Sequence, residues 1–276
     1  MKYKKNEAKE YAKENMIGVW AANLTPFDEN LKLDEKAYRE NLDHWIKRLK
    51  LGGLFIAGKQ AEFFSMSIAE RKRLMELSVQ AADDAGNRDG IGRCGIVTSC
   101  SDTNLDVVLD LANHSENIGA DYIIVHSPVL HFGADTDETI YEYYRYISEK
   151  INIGLAMWNH PDCGYVMSPE LCARIADLPN VVAIKYSTDR EKYKRLTQLV
   201  AGKIHVSNPD EPEWLENMTE LGWKLYLCST PPFLLQTAVD QRMNAYTQLA
   251  LDGKIKEANQ VRDSLNPVRE AIKKTK

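Results

Sequence analysis

The sequence predicts an α/β protein of the (β/α)8 barrel type, with a short C-terminal helical extension, because three observations agree. Short apolar runs alternate with longer amphipathic segments eight times along the chain. Neither a change of composition nor a linker divides these units. No GxGxxG turn follows a predicted strand, as a dinucleotide-binding sheet would require. Eight such units in one domain favour a closed barrel, and an open doubly wound sheet is the alternative.

The predicted strands are short and rich in apolar residues. They cover residues 19–27, 53–58, 90–98, 121–127, 154–158, 181–185, 204–207 and 225–229. Helices are predicted at 33–51, 67–85, from 101 or 102 to 118, 137–151, from 168, 190–200, 211–221 and from 232 onward. Ser67 with Glu70 is typical of a capping box, Ser168 before Pro169 indicates a helix start, and Ser101 or Asp102 is the expected cap between them.

Composition narrows the class of protein. The chain has 276 residues, of which 44% are hydrophobic, and a net charge of −5, which argues against nucleic acid or an anionic membrane as its partner. No apolar run reaches the length of a membrane span, and the charged start has no apolar stretch of a secretory signal, so a cytoplasmic location is expected. Five cysteines without CxxC spacing predict reduced, mostly buried thiols rather than a zinc site.

The expected organisation has three parts. Residues 1–16 form a polar N-terminal helix or a frayed arm, residues 17–250 form the barrel, and residues 251–276 form a helical segment after the break at Gly253.

The most informative stretch is the sixth predicted strand. Residues 181–184 are apolar and lead directly into Lys185. A strand of this kind is buried on both faces, and a lysine at its end is either a buried amine or one that reaches solvent. Burial would lower the pKa of the amine and make it nucleophilic toward carbonyl groups.

In a barrel of this type, the functional site lies at the C-terminal ends of the strands. The predicted strand ends supply Thr25, Lys59, Gln60, Glu62, Thr98, Ser99, His126, Ser127, Trp158, Asn159, His160, Lys185, Tyr186, Ser207, Asn208, Cys228 and Ser229. Two lysines face this mouth, and Glu62 is the only carboxylate expected near it. The pattern favours an anionic substrate, such as a 2-oxo acid, and gives a magnesium ion few ligands.

These motifs resemble the dihydrodipicolinate synthase/N-acetylneuraminate lyase family of Schiff-base pyruvate aldolases. The matching segments, between about residues 17 and 250, are Leu-Thr-Pro-Phe at 24–27, Gly-Lys-Gln-Ala-Glu at 58–62, Ser-Pro at 127–128, Trp-Asn-His-Pro at 158–161 with Gly164, Ile-Lys at 184–185, and residues 207–210. The resemblance implies an imine between Lys185 and the 2-oxo carbon of its substrate, with no metal or organic cofactor. It also implies a homo-oligomer, a tetramer or dimer.

The sequence departs from the family pattern around the lysine. Lys59 and Gln60 replace two hydroxyl residues of the family's Gly-Thr-Thr-Gly-Glu loop. Trp158 stands where the family has its acid–base tyrosine, and an indole N–H does not exchange protons near neutral pH. Leu130 matches a tyrosine that a neighbouring subunit contributes, and the arginine that binds a second carboxylate in the synthases falls where residues 161–164 are one residue short.

We therefore expect Lys185, Lys59 and Trp158 to be the candidate catalytic positions. Lys59 would bind carboxylate, lower the pKa of Lys185 or carry a proton; otherwise it extends into solvent. Trp158 would form a wall of the site or stack on a flat substrate. The candidate substrate-binding residues are Lys59, Gln60, Leu227, His160 and His131.

The expected activity is that of a lyase, an aldolase or hydratase-aldolase, acting on pyruvate or another 2-oxo acid. Three alternatives stay open: a 2-oxo acid dehydratase that uses the same lysine, a 4-hydroxy-tetrahydrodipicolinate synthase, and a non-catalytic barrel that binds a 2-oxo acid. The missing tyrosine, hydroxyl pair and arginine are consistent with either a change of substrate or a loss of catalysis. A retained buried amine favours the change of substrate.

Overall fold

A (β/α)8 barrel forms the body of the protein, as predicted. The computed structural model of the chain describes residues 2–88, 93–128 and 136–274. The parallel strands β1 to β8 are Gly18–Ala22, Gly53–Ile56, Gly95–Ser99, Tyr122–His126, Gly154–Asn159, Val181–Tyr186, His205–Ser207 and Leu225–Leu227. They are hydrogen-bonded in the order β7-β6-β5-β4-β3-β2-β1-β8. Between β7 and β8, the N–H of Leu227 donates to Ser207 Oγ (2.8 Å), which links the two ends of the sheet.

The helices lie around the strands. Helices α1 to α12 are Ala8–Asn15, Glu35–Asp43, Ile68–Arg88, Leu105–Ile118, Thr136–Lys150, Pro169–Ala176, Arg190–Val200, Trp214–Leu221, Pro231–Leu235, Arg242–Leu251, Ile255–Asp263 and Asn266–Lys273. Ser67 and Glu70 form the predicted capping box before α3. Ser168 Oγ accepts from the N–H of Leu171 at the start of α6, also as predicted. The cap of α4 was predicted wrongly, because Asn104 rather than Ser101 or Asp102 provides it.

Several strand boundaries also differ from the prediction, most of all those of β1 and β3. Strand β1 ends at Ala22, before the segment that was expected to continue to residue 27, and β3 begins at Gly95. Residues 90–92 of the predicted third strand lie outside the described residues.

Trp20 fills the lower part of the barrel interior. Its ring lies against Gly53 and Gly95, where an added Cβ would approach ring atoms to 2.1 Å and 2.3 Å respectively. Only glycine therefore leaves room for the indole at these two positions. The indole N–H donates to the carbonyl oxygen of Ile17 (3.0 Å), so this large side chain is buried with its polar atom bonded.

The N-terminal segment covers the base of the barrel rather than fraying into solvent. Helix α1 buries Ala8 and Ala12, and Met16 follows it into the same interior cluster, which also contains Trp20. Before the helix, Tyr3 accepts a hydrogen bond from the N–H of Gly154 (2.9 Å). Small apolar residues one turn apart thus give a polar helix a narrow contact face.

The C-terminal helices pack against the first strand and the eighth helix: α9 and α10 contact β1, and α10 and α11 contact α8. Arg269 of α12 pairs with buried Glu211 at 2.6 Å, which ties the C-terminal segment to the loop after β7. Among the helices of the described residues, none is both long and apolar enough to cross a membrane.

Candidate active site

Four side chains lie in one layer at the C-terminal ends of neighbouring strands. His126 of β4 pairs in register with Trp158 of β5, which pairs with Lys185 of β6. Lys185 in turn pairs with Ser207 of β7. Directly paired residues of parallel strands point to the same face of a sheet. The register therefore brings a histidine, an indole, an amine and a hydroxyl together around one mouth of the barrel.

Lys185 is a buried amine with an apolar surrounding. Its side chain is 2% exposed, and Nζ donates to the carbonyl oxygen of Cys228 (3.2 Å). Nζ also lies 5.1 Å from the centre of the Phe55 ring and 5.6 Å from that of Trp158. Burial lowers the pKa of Lys185 to about 8, Cys228 opposes this effect, and Lys59 adds to it. A larger fraction of the amine is consequently neutral, and thus nucleophilic, near physiological pH.

Lys59 forms an ion pair across the mouth. It begins a short helical turn, Lys59–Ala61, after β2, and Nζ pairs with Asp162 in the loop after β5. The other carboxylate oxygen of Asp162 lies 3.1 Å from His160 Nδ1. Hydrogen bonding from Lys59 is the main reason that the pKa of Asp162 is lowered. The side chains of Lys59 and Asp162 are each 47% exposed, so the pair is weak and can exchange partners.

Asp162 corrects one expectation. Glu62 was predicted to be the only carboxylate near the mouth, and this is wrong, because the carboxylate of Asp162 accepts from Lys59 there. The backbone N–H of Asp162 donates to His160 Nδ1 (3.2 Å). His160 is half-buried, and desolvation is the main cause of its lowered pKa.

Several polar atoms after or at the strand ends are buried without a hydrogen-bond partner in the described part of the chain. They include Gln60 Oε1, Trp158 Nε1 and Ser187 Oγ. A buried polar atom without a partner costs free energy unless a ligand or water satisfies it. An acceptor and a donor near the reactive amine therefore fit the polar groups of a bound substrate.

The remaining predicted residues have different positions. Leu227 is fully buried in the apolar cluster of the barrel interior, so its side chain packs there instead of facing open solvent. Tyr186 is buried as well, and its hydroxyl donates to the carbonyl oxygen of Met167 (2.5 Å), which fits the packing role expected of it. His131, the other histidine that was predicted to bind substrate, and Leu130 lie outside the described residues.

A hydrogen-bonded group beside the indole was not singled out from the sequence. Cys163 Sγ lies 2.7 Å from His126 Nδ1 and 3.1 Å from Ser127 Oγ, and Asn159 Nδ2 donates to the same hydroxyl oxygen (3.1 Å). The ring of His126 is 4.6 Å from that of Trp158 and meets it edge-on. The sequence signal was that His126, Ser127 and Asn159 lie at predicted strand ends. Cys163 gave none, because its position depends on a loop.

The cysteines and the carboxylates do not form a metal site in the described residues. All five cysteines are buried free thiols, as expected. No group of three or more histidine, cysteine, aspartate or glutamate side chains within residues 2–88, 93–128 and 136–274 has the geometry to hold a metal ion.

The family model for the dihydrodipicolinate synthetase family matches residues 15–276. An uncharacterized DapA-like lyase of Thermococcus kodakarensis is 30% identical over 181 residues, which cover 65% of this chain and 58% of the relative. A 4-hydroxy-tetrahydrodipicolinate synthase of Rickettsia prowazekii is 28% identical over 85% of this chain and 77% of its own. The solved structure of a monomeric dihydrodipicolinate synthase variant has a TM-score of 0.79 at 22% identity, over 95% of this chain and 83% of that one.

The chain therefore belongs to the dihydrodipicolinate synthetase family, as its motifs predicted. Its relatives are named as lyases and synthases. The match spans 58% of the length of the Thermococcus kodakarensis relative and of a second DapA-like lyase, from Thermococcus onnurineus.

Proposed function

We propose that this protein is a Schiff-base-forming lyase of the aldolase or hydratase-aldolase type that acts on pyruvate or another 2-oxo acid. The observation that carries the proposal is the amine of Lys185, which is 2% exposed and has no carboxylate partner within the described residues. A buried amine that is not neutralised by an acid is costly to the fold. Such an amine is well suited to attack a carbonyl group.

The proposed step is imine formation. The lone pair of the neutral Lys185 Nζ forms a bond to the C2 carbon of the 2-oxo acid. The C2–O bond then breaks, and the oxygen leaves as water with one proton from Nζ and one from solvent, so that one proton stays on the nitrogen. The resulting iminium withdraws electrons from the bonds at C3, so a C–C bond or a C–H bond at that carbon is weakened. No metal or organic cofactor is required for this chemistry.

The substrate carboxylate would bind at Lys59. The ion pair of Lys59 with Asp162 is half-exposed, so an incoming carboxylate can replace Asp162 with little loss of free energy. Gln60 Oε1 and Trp158 Nε1 are then available for a hydroxyl or carbonyl group of the substrate. An anionic 2-oxo acid satisfies all of these groups together.

A 4-hydroxy-tetrahydrodipicolinate synthase is the second candidate, because relatives bear this name over as much as 92% of the chain. Trp158 argues against it, since its indole cannot relay a proton as the family tyrosine would. A dehydratase would use the same imine. A non-catalytic barrel would form the imine but would not convert the bound 2-oxo acid further.

Borohydride trapping tests the proposal. The protein is incubated with pyruvate and a panel of 2-oxo acids, reduced with borohydride, and digested for peptide mass mapping. We expect one adduct, on Lys185, with at least one acid. Lys185→Met should give none, whereas Lys203→Met, which removes a surface lysine paired with Asp177, should react like the parent. The absence of an adduct with every acid contradicts the proposal, and an adduct without turnover favours a binding role.

A further inference from the structure

We propose that His126 is the proton carrier of this site, the role that Trp158 cannot fill. The inference rests on the proposed imine at Lys185. It concerns the groups that surround the indole, and three structural observations support it.

The first observation is the position of His126 relative to the amine. His126 and Lys185 are the register partners of Trp158 on either side, so both side chains face the same mouth. The imidazole ring is 4.6 Å from the indole ring, and Lys185 Nζ is 5.6 Å from it. The C3 carbon of a pyruvate imine lies two bonds from Nζ. An imine on Lys185 therefore places its C3 at the same mouth as the imidazole.

The second observation is the set of contacts that orients the imidazole ring. His126 Nδ1 lies 3.1 Å from the carbonyl oxygen of Ser127. Nδ1 also lies 2.7 Å from Cys163 Sγ, which can donate or accept. Because the carbonyl oxygen can only accept, we place the ring proton on Nδ1 and the lone pair on Nε2. Cys163 Sγ lies 3.2 Å from Nε2, and its thiol also reaches the carbonyl oxygen of Ser127 (3.2 Å).

The third observation is the set of hydrogen bonds that holds Ser127 and Cys163, the two residues in contact with the imidazole ring. Ser127 Oγ lies 3.1 Å from Cys163 Sγ and accepts a hydrogen bond from Asn159 Nδ2 (3.1 Å). The Asn159 side chain is itself fixed, because its Oδ1 accepts from the N–H of Met167 (3.1 Å). A ring held in this way keeps one rotamer while it gains and loses a proton.

The burial of His126 and the charges around it favour a neutral imidazole, the form in which a general base accepts a proton. Burial is the main reason that the pKa of His126 is lowered to about 4, and Lys59 and His160 lower it further. The Ser127 carbonyl and Asp162 act in the opposite direction. The imidazole is thus neutral before the reaction, with a lone pair available. When His126 takes the proton from C3, it becomes positively charged. The negative charge of the bound substrate then stabilises the imidazolium, which has no such partner in the free site.

The step is a transfer of one proton between C3 and Nε2. The C3–H bond breaks, its electron pair forms the C2=C3 bond, and the π electrons of the C=N bond move to Nζ, which gives an enamine. His126 Nε2 takes the proton and becomes an imidazolium. The reverse transfer returns the proton to C3 and regenerates the iminium.

Hydrogen exchange at C3 measures this step separately from imine formation. Pyruvate, or another 2-oxo acid that forms the adduct, is incubated with the protein in D2O, and the loss of the C3 proton signal is followed by NMR. We expect His126→Gln to lower the exchange rate at least about 100-fold, the usual contribution of a general base. Borohydride trapping on Lys185 should stay within about twofold of the parent, which also shows that the variant is folded.

His44→Gln is the matched control, since His44 is exposed and begins a helical turn away from the strand ends. It should leave both measurements unchanged. Exchange in His126→Gln that remains within about threefold of the parent, with trapping intact, would overturn the inference. So would a loss of exchange in His160→Gln that is absent in His126→Gln. No trapping in the parent overturns the proposed function and, with it, this inference.

Discussion

The two ends of the barrel bury polar groups in opposite ways. At the base, Asp121 is buried, and its carboxylate accepts from Lys2 Nζ (2.6 Å), from the N–H of Ile96 (2.8 Å) and from Arg93. At the mouth, Lys185 is equally buried, but its one hydrogen bond within the described residues is to a neutral carbonyl oxygen. A buried charge with several partners stabilises a fold or costs it little, whereas an amine without a counterion lowers stability.

The tryptophans of the two ends show the same contrast. Trp20 at the base donates to a carbonyl oxygen and fits between two glycines. Trp158 at the mouth is also buried, but its N–H has no partner in the described ranges of the chain. Polar atoms without partners are expected where a ligand completes the structure. The contrast holds for these two indoles. It does not extend to every polar atom, because the hydroxyl of Tyr122 at the base is also buried without a partner in the described residues.

The largest effect is expected at the base. Trp20→Ala removes a fully buried indole and a hydrogen bond, and should lower the free energy of unfolding by about 3–5 kcal/mol. Urea denaturation measures the loss. Val239→Ala, at a side chain that is 97% exposed, should change it by less than about 0.5 kcal/mol.

The same variant tests whether the two ends are independent. Trp20 lies on β1 near the strand starts, so borohydride trapping on Lys185 should persist at a temperature at which the variant is folded. A loss of trapping in folded protein, or a destabilisation below about 1 kcal/mol, would contradict the division into base and mouth.

Much of the fold and the burial of Lys185 at a strand end could be predicted from the sequence, because both depend on patterns within single elements. The four apolar residues before Lys185 predict a buried strand, and strand ends define the mouth. The cap of α4 was predicted wrongly because tertiary contacts occupy the expected residues. Ser101 Oγ accepts from the N–H of His126 (2.9 Å), and Asp102 pairs with Arg71 (3.0 Å), so neither is free to cap the helix.

Contacts between loops could not be predicted. The pair of Lys59 with Asp162 and that of His126 with Cys163 join residues 103 and 37 positions apart. No periodicity encodes these distances, since they depend on how each loop leaves its strand. The packing of α1 against the base could not be predicted either, because the contact face of this helix consists of two small residues, Ala8 and Ala12.

An effect of intermediate size is expected at the mouth, where removal of the Lys185 amine should raise the free energy of unfolding instead of lowering it as Trp20→Ala does. Burial lowers the pKa of Lys185 from 10.5 to about 8, so at pH 7 the amine destabilises the fold by about 3 kcal/mol at most. Lys185→Met keeps the volume and removes the amine. It should therefore raise the free energy of unfolding at pH 7 by about 1–3 kcal/mol while abolishing the adduct.

The pH dependence of this gain follows from the direction of the pKa change. Between pH 8 and 10.5 the unfolded chain binds the proton that the folded chain has lost, so the parent gains stability with rising pH in this window. The advantage of Lys185→Met should therefore shrink between pH 7 and pH 10. Urea titrations of both proteins at the two pH values measure it, and a variant that is less stable than the parent at pH 7 would show that Lys185 supports the fold.

The smallest effect is the influence of Lys59 on the pKa of the Lys185 amine. The rate of adduct formation should increase with pH and level off above the pKa of Lys185, about 8. Lys59 lowers that pKa, although burial is the larger cause, so Lys59→Ala should move the midpoint to higher pH by less than about one unit. Trapping rates at saturating pyruvate across pH 6 to 10 measure the midpoint independently of affinity.

Lys203→Ala is the matched control for this shift. Like Lys59, Lys203 is half-exposed and pairs with an aspartate, but it lies just before the start of β7, at the opposite end of the barrel. Its removal should leave the midpoint unchanged. A midpoint that stays in place or moves to lower pH in Lys59→Ala would mean that Lys59 acts on the substrate carboxylate alone. Its positive charge would then be screened from the amine by Asp162, and burial would remain as the cause of the lowered pKa of Lys185.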